Sequence, residues 1–319
     1  MNKIRAKFYA IIFWQTSVGE VLNKFYDLKL FFKHSFHNKL KTKQNYEAYL
    51  TKQYHILEKG LALPKTRKNF GIEKINKLIK ISEEYHNKFG TSDLLKTIAS
   101  ALHSYLNYNK EFELANSDLY KSIVQFIDKH NTNNNGGIKL INPTYFPEYE
   151  LFVKNRSSIR IFNNVEVSND LILKAVEIAK FSPSVCNRQS WKVHLYNPED
   201  SQQLLRLQDG NNGFGHCINK LLIVTSDSKS FTKHESNQIF IDGGLFSMNL
   251  ILALHSLELG SCCLNLCVPY IKEKQIKKEA RIEESERLIM MIGVGHFNNN
   301  TKVAMSHRKN NSEILKLHI

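Results

Sequence analysis

The chain has 319 residues and a mass of 37.0 kDa, with 42% apolar and 23% charged residues. That composition excludes wholesale disorder, and a mean hydropathy of -0.36 argues against a polytopic membrane protein. The formal net charge of +14 is lopsided: residues 1–100 hold 19 Lys and Arg against 8 Asp and Glu, whereas residues 101–319 hold 25 against 22. Basicity on this scale raises nucleic acid, an anionic membrane surface or a polyanion as partners, but only for the first third of the chain.

Lys3, Arg5 and Lys7 precede an apolar run from Phe8 to Trp14, which mimics the first two regions of a signal peptide. No small-x-small cleavage site follows, and the run is far short of the roughly 20 residues a membrane span needs. Residues 1–130 read as helical. Val21, Leu22, Phe25 and Tyr26, then Ile72, Ile75, Leu78 and Ile79, then Leu94, Leu95, Ile98 and Leu102, then Leu119, Ile123, Phe126 and Ile127 recur at helical spacing. The run Asn131-Thr132-Asn133-Asn134-Asn135-Gly136-Gly137 has no apolar member, and Pro143 and Pro147 follow. This predicts a linker over 131–150, separating a basic helical region at 1–130 from a second domain at 151–319.

The second part mixes element types. Ser168 is a predicted N-cap for a helix carrying Leu171, Ile172, Ala175, Val176 and Ala179. Trp191, Val193 and Leu195 alternate with Lys192, His194 and Tyr196, the pattern of a half-buried strand. Leu221 to Thr225 reads as a central strand. A long apolar helix is predicted from about Ile239 to a stop at Gly260; its Asp242, Asn249, His255 and Glu258 favour a buried core helix over a membrane span. Further strands are predicted at 261–266 and 288–294, with a basic helix at about 271–281 between them. Five cysteines without a C-x-x-C pair or zinc-ligand spacing read as buried thiols of a reducing, cytoplasmic protein.

Four constellations carry chemistry. Arg156-Ser157-Ser158-Ile159-Arg160 sets two guanidiniums and two hydroxyls within five residues, a donor set suited to a phosphate. A solvated turn is the plainer alternative. Ser182 to Trp191 joins helix to strand and is dense in hydrogen-bonding groups; Asn187 and Gln189 can both donate and accept, as the edge of a heteroaromatic ring requires. Asp242-Gly243-Gly244 opens the long helix. It is not a G-x-G-x-x-G fingerprint, and the glycines are expected to permit close helix packing, across a subunit interface in one reading. His307-Arg308-Lys309 forms a basic tail.

In this order, R-S-S-I-R-x-F, P-S-x-x-N-x-Q-x-W, D-G-G with N-L-x-L-A-x-H-x-L-x-L-G-S-C, I-G-V-G and a late Arg resemble the nitroreductase family of FMN-dependent enzymes over residues 150–310. The resemblance implies an α+β fold, an antiparallel sheet flanked by helices, and a homodimer sharing two FMN sites at its interface. It assigns the flavin phosphate and ribityl chain to Arg156, Ser157, Ser158 and Arg160, with Arg308 reaching the same phosphate. It lays Pro183, Ser184, Asn187 and Gln189 along the flavin, often from the partner subunit. Leu264 and Asn265 would pass the flavin N5 edge through backbone groups.

The implied activity is ping-pong hydride transfer from NAD(P)H through the flavin to an electron-poor small molecule. The flavin carries the chemistry, so no catalytic side chain is assigned. Arg160 or Arg188 is the expected source of positive charge near the reduced ring. Two alternatives stand beside this. One is a flavin enzyme of the same superfamily with non-nicotinamide chemistry. The other is a membrane-surface protein whose basic, aromatic-rich N-terminal region is the functional interface, with Lys side chains snorkelling beside Phe8, Tyr9, Phe13, Trp14, Phe25, Tyr26, Phe31 and Phe32. His55-Ile56-Leu57-Glu58-Lys59-Gly60-Leu61 and Arg67-Lys68-Asn69-Phe70-Gly71 are similar to longer nitroreductase-like proteins associated with cell-surface polysaccharide synthesis. Nucleic acid is the least favoured partner.

Overall fold

The computed structural model describes residues 16–37, 39–110 and 118–318. The apolar run at 8–14 lies outside them, with four of the aromatics counted above. Helices α1 (Ser17–His34), α2 (Lys43–Leu61), α3 (Ile72–Phe89), α4 (Asp93–Tyr108) and α5 (Asp118–His130) form the N-terminal region. Local signals start them. Thr16 caps α1 by accepting from the Gly19 N–H, and Thr42 with Asn45 forms a reciprocal capping box on α2. Faces of α2 to α5 meet in one core that includes Leu50, Tyr54, Ile75, Leu78, Tyr85, Ile98, Leu102, Tyr105, Ile123 and Phe126.

Helix α1 does not join that core. Its Phe31 packs on Phe231 and Ile239, its Asp27 pairs with Arg287, and its Lys33 with Glu284, all far along the chain. Residues 131–137 return to the helical core. The Asn133 N–H bonds Ser100 Oγ at 3.0 Å and the Gly137 N–H bonds Glu58 Oε1 at 2.9 Å. A Cβ on Gly136 would sit 2.2 Å from the Thr97 carbonyl oxygen, so only glycine allows this approach. Residues 138–148 are exposed coil and turn leading into α6 (Tyr149–Asn155).

The rest is an α+β unit. Helix α7 (Asn169–Ala179), strand β1 (Trp191–Tyr196), α8 (Pro198–Leu205), β2 (Lys220–Asp227), α9 (Gln238–Ser256), β3 (Gly260–Leu264), α10 (Tyr270–Glu279), β4 (Glu286–Gly295) and α11 (Asn311–Ile314) follow in order. The strands form one antiparallel sheet of order β1-β2-β4-β3. Leu222, Val224, Ile292 and Val294 face α7 and α9, and Leu221, Ile223, Leu288 and Met291 face α8 and α10. Strand β2 is buried throughout, which is why its sequence reads as an unbroken apolar run. Ser168 caps α7 as predicted, accepting from the Leu171 N–H at 3.3 Å.

Three expectations are corrected. Helix α9 ends at Ser256, not Gly260, because Glu258 takes the left-handed conformation (φ 59°) and turns the chain. Gly260 instead opens β3, where a Cβ would lie 2.8 Å from Phe297. In β1 the Lys192, His194 and Tyr196 face is not solvent-facing: Lys192 and His194 reach the buried Glu286, and Tyr196 donates to the Ala280 carbonyl. The cysteines are free, but only Cys262 is buried; alternation along β3 turns Cys263 outward, and Cys267 is exposed.

The D-G-G glycines differ in role. A Cβ on Gly243 would lie 2.6 Å from Ile289 of β4, whereas one on Gly244 meets nothing within 4 Å. Gly243 therefore serves packing of helix on sheet within the chain. Gly243→Ala is expected to cost about 1–3 kcal/mol, and Gly244→Ala to be neutral or to gain up to about 1 kcal/mol. Thermal melts of the two variants check this; equal melting temperatures would refute the distinction. Among the described residues α9 is also long and apolar enough to cross a membrane, but Ile239, Phe246, Leu250 and Leu254 bury it against the sheet.

Candidate functional site

The Arg156–Arg160 segment is fixed by a parallel bridge between Ser158 and Ser261, with the Ile159 N–H bonded to the Ser261 carbonyl at 3.0 Å. The segment thus lies beside the start of β3, at the free edge of the sheet. There it lines a cleft of about 160 Å³. Asn155, Arg156, Ser157, His255, Ser261 and Thr301 supply its polar groups, and Ile159, Leu259, Phe297 and Val303 its apolar ones. Among the described residues no Asp or Glu lines it. Arg156 makes no hydrogen bond or ion pair with a described residue, and the Ser157 and Ser158 hydroxyls are equally unengaged. Unpaired donors with no carboxylate beside them are a donor set chemically suited to an anion.

In the sequence His255 is a polar interruption of the α9 apolar run and a member of the motif that ends in G-S-C, with no role assigned; the structure sets it against Phe152, ring centroids 4.8 Å apart, with Arg156 nearby. Burial lowers its pKa from 6.5, the Arg156 charge acts in the same direction, and a bond to the Phe152 backbone opposes both. The imidazole is therefore neutral at pH 7, and an anion in the cleft favours its protonated form. Sulfate, whose charge is constant over this range, is expected to bind a few-fold tighter as pH falls from 8 to below about 6.5. Calorimetric titration of wild type and His255→Gln checks this; a pH dependence that survives the substitution would remove His255 from the account.

The second constellation stands elsewhere. Pro183, Ser184, Asn187 and Gln189 lie in the turn between α7 and β1, around a single helical turn at Val185–Asn187. Cys186, Asn187 and Gln189 all have positive φ (51°, 54° and 47°), an unusual concentration of left-handed non-glycine residues. The surroundings hold this backbone in place. The Val185 N–H donates to both Asp242 carboxylate oxygens at 3.1 and 3.3 Å, and the Gln189 N–H to Ser184 Oγ at 3.0 Å. Asn249 Nδ2 bonds Ser182 Oγ at 3.1 Å. Asp242 is fully buried, and burial pushes its carboxyl pKa up, against the bonds from Gln238 and Val185. The sequence showed Asp242 but not its task as an anchor for this turn.

The expectation that Arg188 lends charge to a reduced ring is corrected. Its side chain is wholly buried, donates to Glu235 and to the Ser230 carbonyl at 2.8 Å, and lies against Phe36 and Phe231. Its charge is spent inside the protein. Arg160 is exposed and is not among the cleft residues. Leu264 is buried at the end of β3; Asn265 is exposed, its carbonyl accepting from Gln208 and its Oδ1 from the Cys267 N–H. Thr301 and Val303 carry the C-terminal segment past the cleft, but Arg308 lies beyond, exposed, bonded to the Ser306 carbonyl.

The geometry separates the two constellations. Three inter-strand spacings, about 14 Å, lie between β1 and β3. The register also puts the start of β1 and the start of β3 at opposite ends of the sheet. One chain brings Arg156 and Ser157 together with β3, but not with Asn187 and Gln189.

The nitroreductase family model matches residues 153–212. An Archaeoglobus fulgidus protein carrying the name NADH dehydrogenase/NAD(P)H nitroreductase is 23% identical over 147 residues, 45% of this chain and 82% of its own. Among solved structures, a nitroreductase family protein from Streptococcus pneumoniae aligns at 21% identity over 53% of this chain and all of its own, with a TM-score of 0.45. A nitroreductase with bound FMN from Desulfitobacterium hafniense aligns at 20% identity over 55% and 100%, with a TM-score of 0.44. The matched stretch lies in the α+β domain, with a helical N-terminal region in front of it.

Proposed function

We propose that this protein is an FMN-dependent oxidoreductase that works as a homodimer. The observation that carries the reading is the carboxylate-free cleft at the start of β3, with Arg156, Ser157 and Ser158 unengaged beside it. These donors fit the flavin phosphate, whereas Arg160 and Arg308 lie outside the cleft lining. Ser261 is three residues from Leu264, about 10 Å of strand, which is of the order of a ribityl phosphate's reach. Leu264 and Asn265 would then offer backbone groups to the ring. When bound, FMN supplies the redox chemistry, accepting hydride from NAD(P)H and passing it to an electron-poor acceptor in a ping-pong cycle. The nicotinamide donor is carried over from the name of the Archaeoglobus relative.

The second copy answers the separation of the two constellations. Pro183, Ser184, Asn187 and Gln189 of one protomer would meet the cleft of the other. Exposed apolar groups offer the contact surface: Phe181 (80% exposed) just after α7, Ile241, Leu245 and Met248 on α9, then Met305, Ile314 and Leu317 in the tail. Purified protein should be yellow, elute as a dimer, and lose its flavin absorbance when NADH or NADPH is added without oxygen. A colourless protein that does not take up FMN, or a flavin that neither nicotinamide bleaches, would overturn the proposal.

A further inference from the structure

Helix α1 has two unlike faces. The inward one is tied to the α+β domain. Gly19, Leu30 and Phe31 are buried, Asn23 Oδ1 accepts from the Tyr270 N–H at 2.9 Å, Tyr26 packs on the Tyr270 ring, and Asp27 pairs with Arg287. Glu20, the other acid of the helix, lines a cavity of about 460 Å³ together with Leu266 and Pro269. Both acids of α1 therefore lie on the side that meets the domain.

The opposite face carries the apolar groups. Val18, Val21, Leu22, Phe25, Leu28 and Phe32 recur three or four residues apart, which sets them in one stripe along the helix. All six are exposed, Phe25 by 70%. The aromatics that the sequence places beside lysines are thus divided: Phe25 and Phe32 point outward, Tyr26 and Phe31 inward. Lys29 lies within the stripe, four residues after Phe25 and three before Phe32, and Lys24 flanks it; both are exposed.

A stripe of rings and branched side chains with lysines among them and no acid discriminates between partners. A second copy of the chain would have to bury Lys29 in the middle of the contact, and lysine is depleted from the cores of protein interfaces. At a bilayer surface the same lysine extends its ammonium to the headgroups while the apolar groups enter the acyl boundary. Negative lipids then attract Lys24 and Lys29, with nothing on that face of α1 to oppose them.

We propose that α1 seats the protein on an anionic membrane surface. Its outward face lies in the plane of the interface, over a helix of 18 residues or about 27 Å, and its inward face carries the α+β domain.

The test is sedimentation of the full chain with vesicles of phosphatidylcholine containing about one-third phosphatidylserine, and with phosphatidylcholine alone. Wild type should bind the anionic vesicles about 10-fold tighter or more, with the difference shrinking as salt rises. Phe25→Ser with Phe32→Ser, and separately Lys24→Glu with Lys29→Glu, should each weaken that binding about 10-fold or more. Leu173→Ser, an equally exposed apolar group on α7, is the control and should bind as wild type does. Melting temperatures should stay together, because every substituted side chain is exposed. No binding to anionic vesicles, or binding that both α1 variants retain, would overturn the proposal. A smaller species on gel filtration of Phe25→Ser with Phe32→Ser, alongside undiminished vesicle binding, would also overturn it and give the stripe to a second copy of the chain.

Discussion

Glu286→Ala should destabilise the fold by about 3–5 kcal/mol, the usual cost of stripping one partner from a buried ionic network. Glu286 opens β4 and is 2% exposed. Lys192 Nζ reaches its Oε1 at 2.9 Å, His194 Nε2 lies 2.7 Å from its Oε2, and the Thr225 hydroxyl donates to the same oxygen. Burial alone would raise its pKa; the bonds from His194, Thr225 and Lys192 together outweigh burial and lower it from 4.5 to about 2. The folded state thus binds this proton less readily than the unfolded chain does. The stabilisation is fully present above about pH 4.5 and is lost as pH falls towards 2, amounting to about 3 kcal/mol for such a shift. Urea unfolding at pH 7 should show the Glu286→Ala loss in full. At pH 3 the gap between wild type and Glu286→Gln, which keeps the shape without the charge, should shrink. A midpoint unmoved at pH 7 would show the network to be energetically idle.

That network was invisible in the sequence for a reason that recurs. Features written in local chemistry were legible: the Ser168 cap, the unbroken apolar run of β2, the helical spacing of α3, α4 and α5 and the basic helix α10. Features that need a partner from a distant part of the chain were not. Lys192 and His194 read as the wet face of β1 because Glu286 lies some ninety positions away. Arg188 reads as a free charge until Glu235 is seen beside it. The cleft shows the same asymmetry: Arg156, Ser157 and Ser158 can be read from the motif, but the absence of any carboxylate around them is a property of the folded neighbourhood.

The basic N-terminal region illustrates a further limit. Its charge is visible as an excess of lysines, yet beside the pairs made by Lys33 and Lys52 the groups it offers to the rest of the chain are an apolar ring, Phe31, an amide, Asn45, and an acid, Asp27. Composition shows the excess of lysines but not which of them pair across the chain, nor the uncharged groups that make contacts beside them.

Arg156→Met should weaken FMN binding about 10–100-fold, the worth of one or two charge-assisted bonds to a phosphate. Arg160→Met should cost no more than about 3-fold, because its side chain is exposed and outside the cleft lining. Neither change should move the melting temperature of the flavin-free protein appreciably, since neither guanidinium pairs with a described residue. Arg188→Met is the contrasting case: it strands Glu235 without its buried partner and is expected to lower stability before it touches affinity. Fluorescence titration of FMN into the three variants, each with a thermal melt, separates the roles. The motif alone treats Arg156 and Arg160 as equivalent phosphate ligands, whereas the cleft makes them unequal. Equal losses in the two variants would return the phosphate to the motif as a whole, and an unaffected Arg156→Met would remove it from this edge of the sheet.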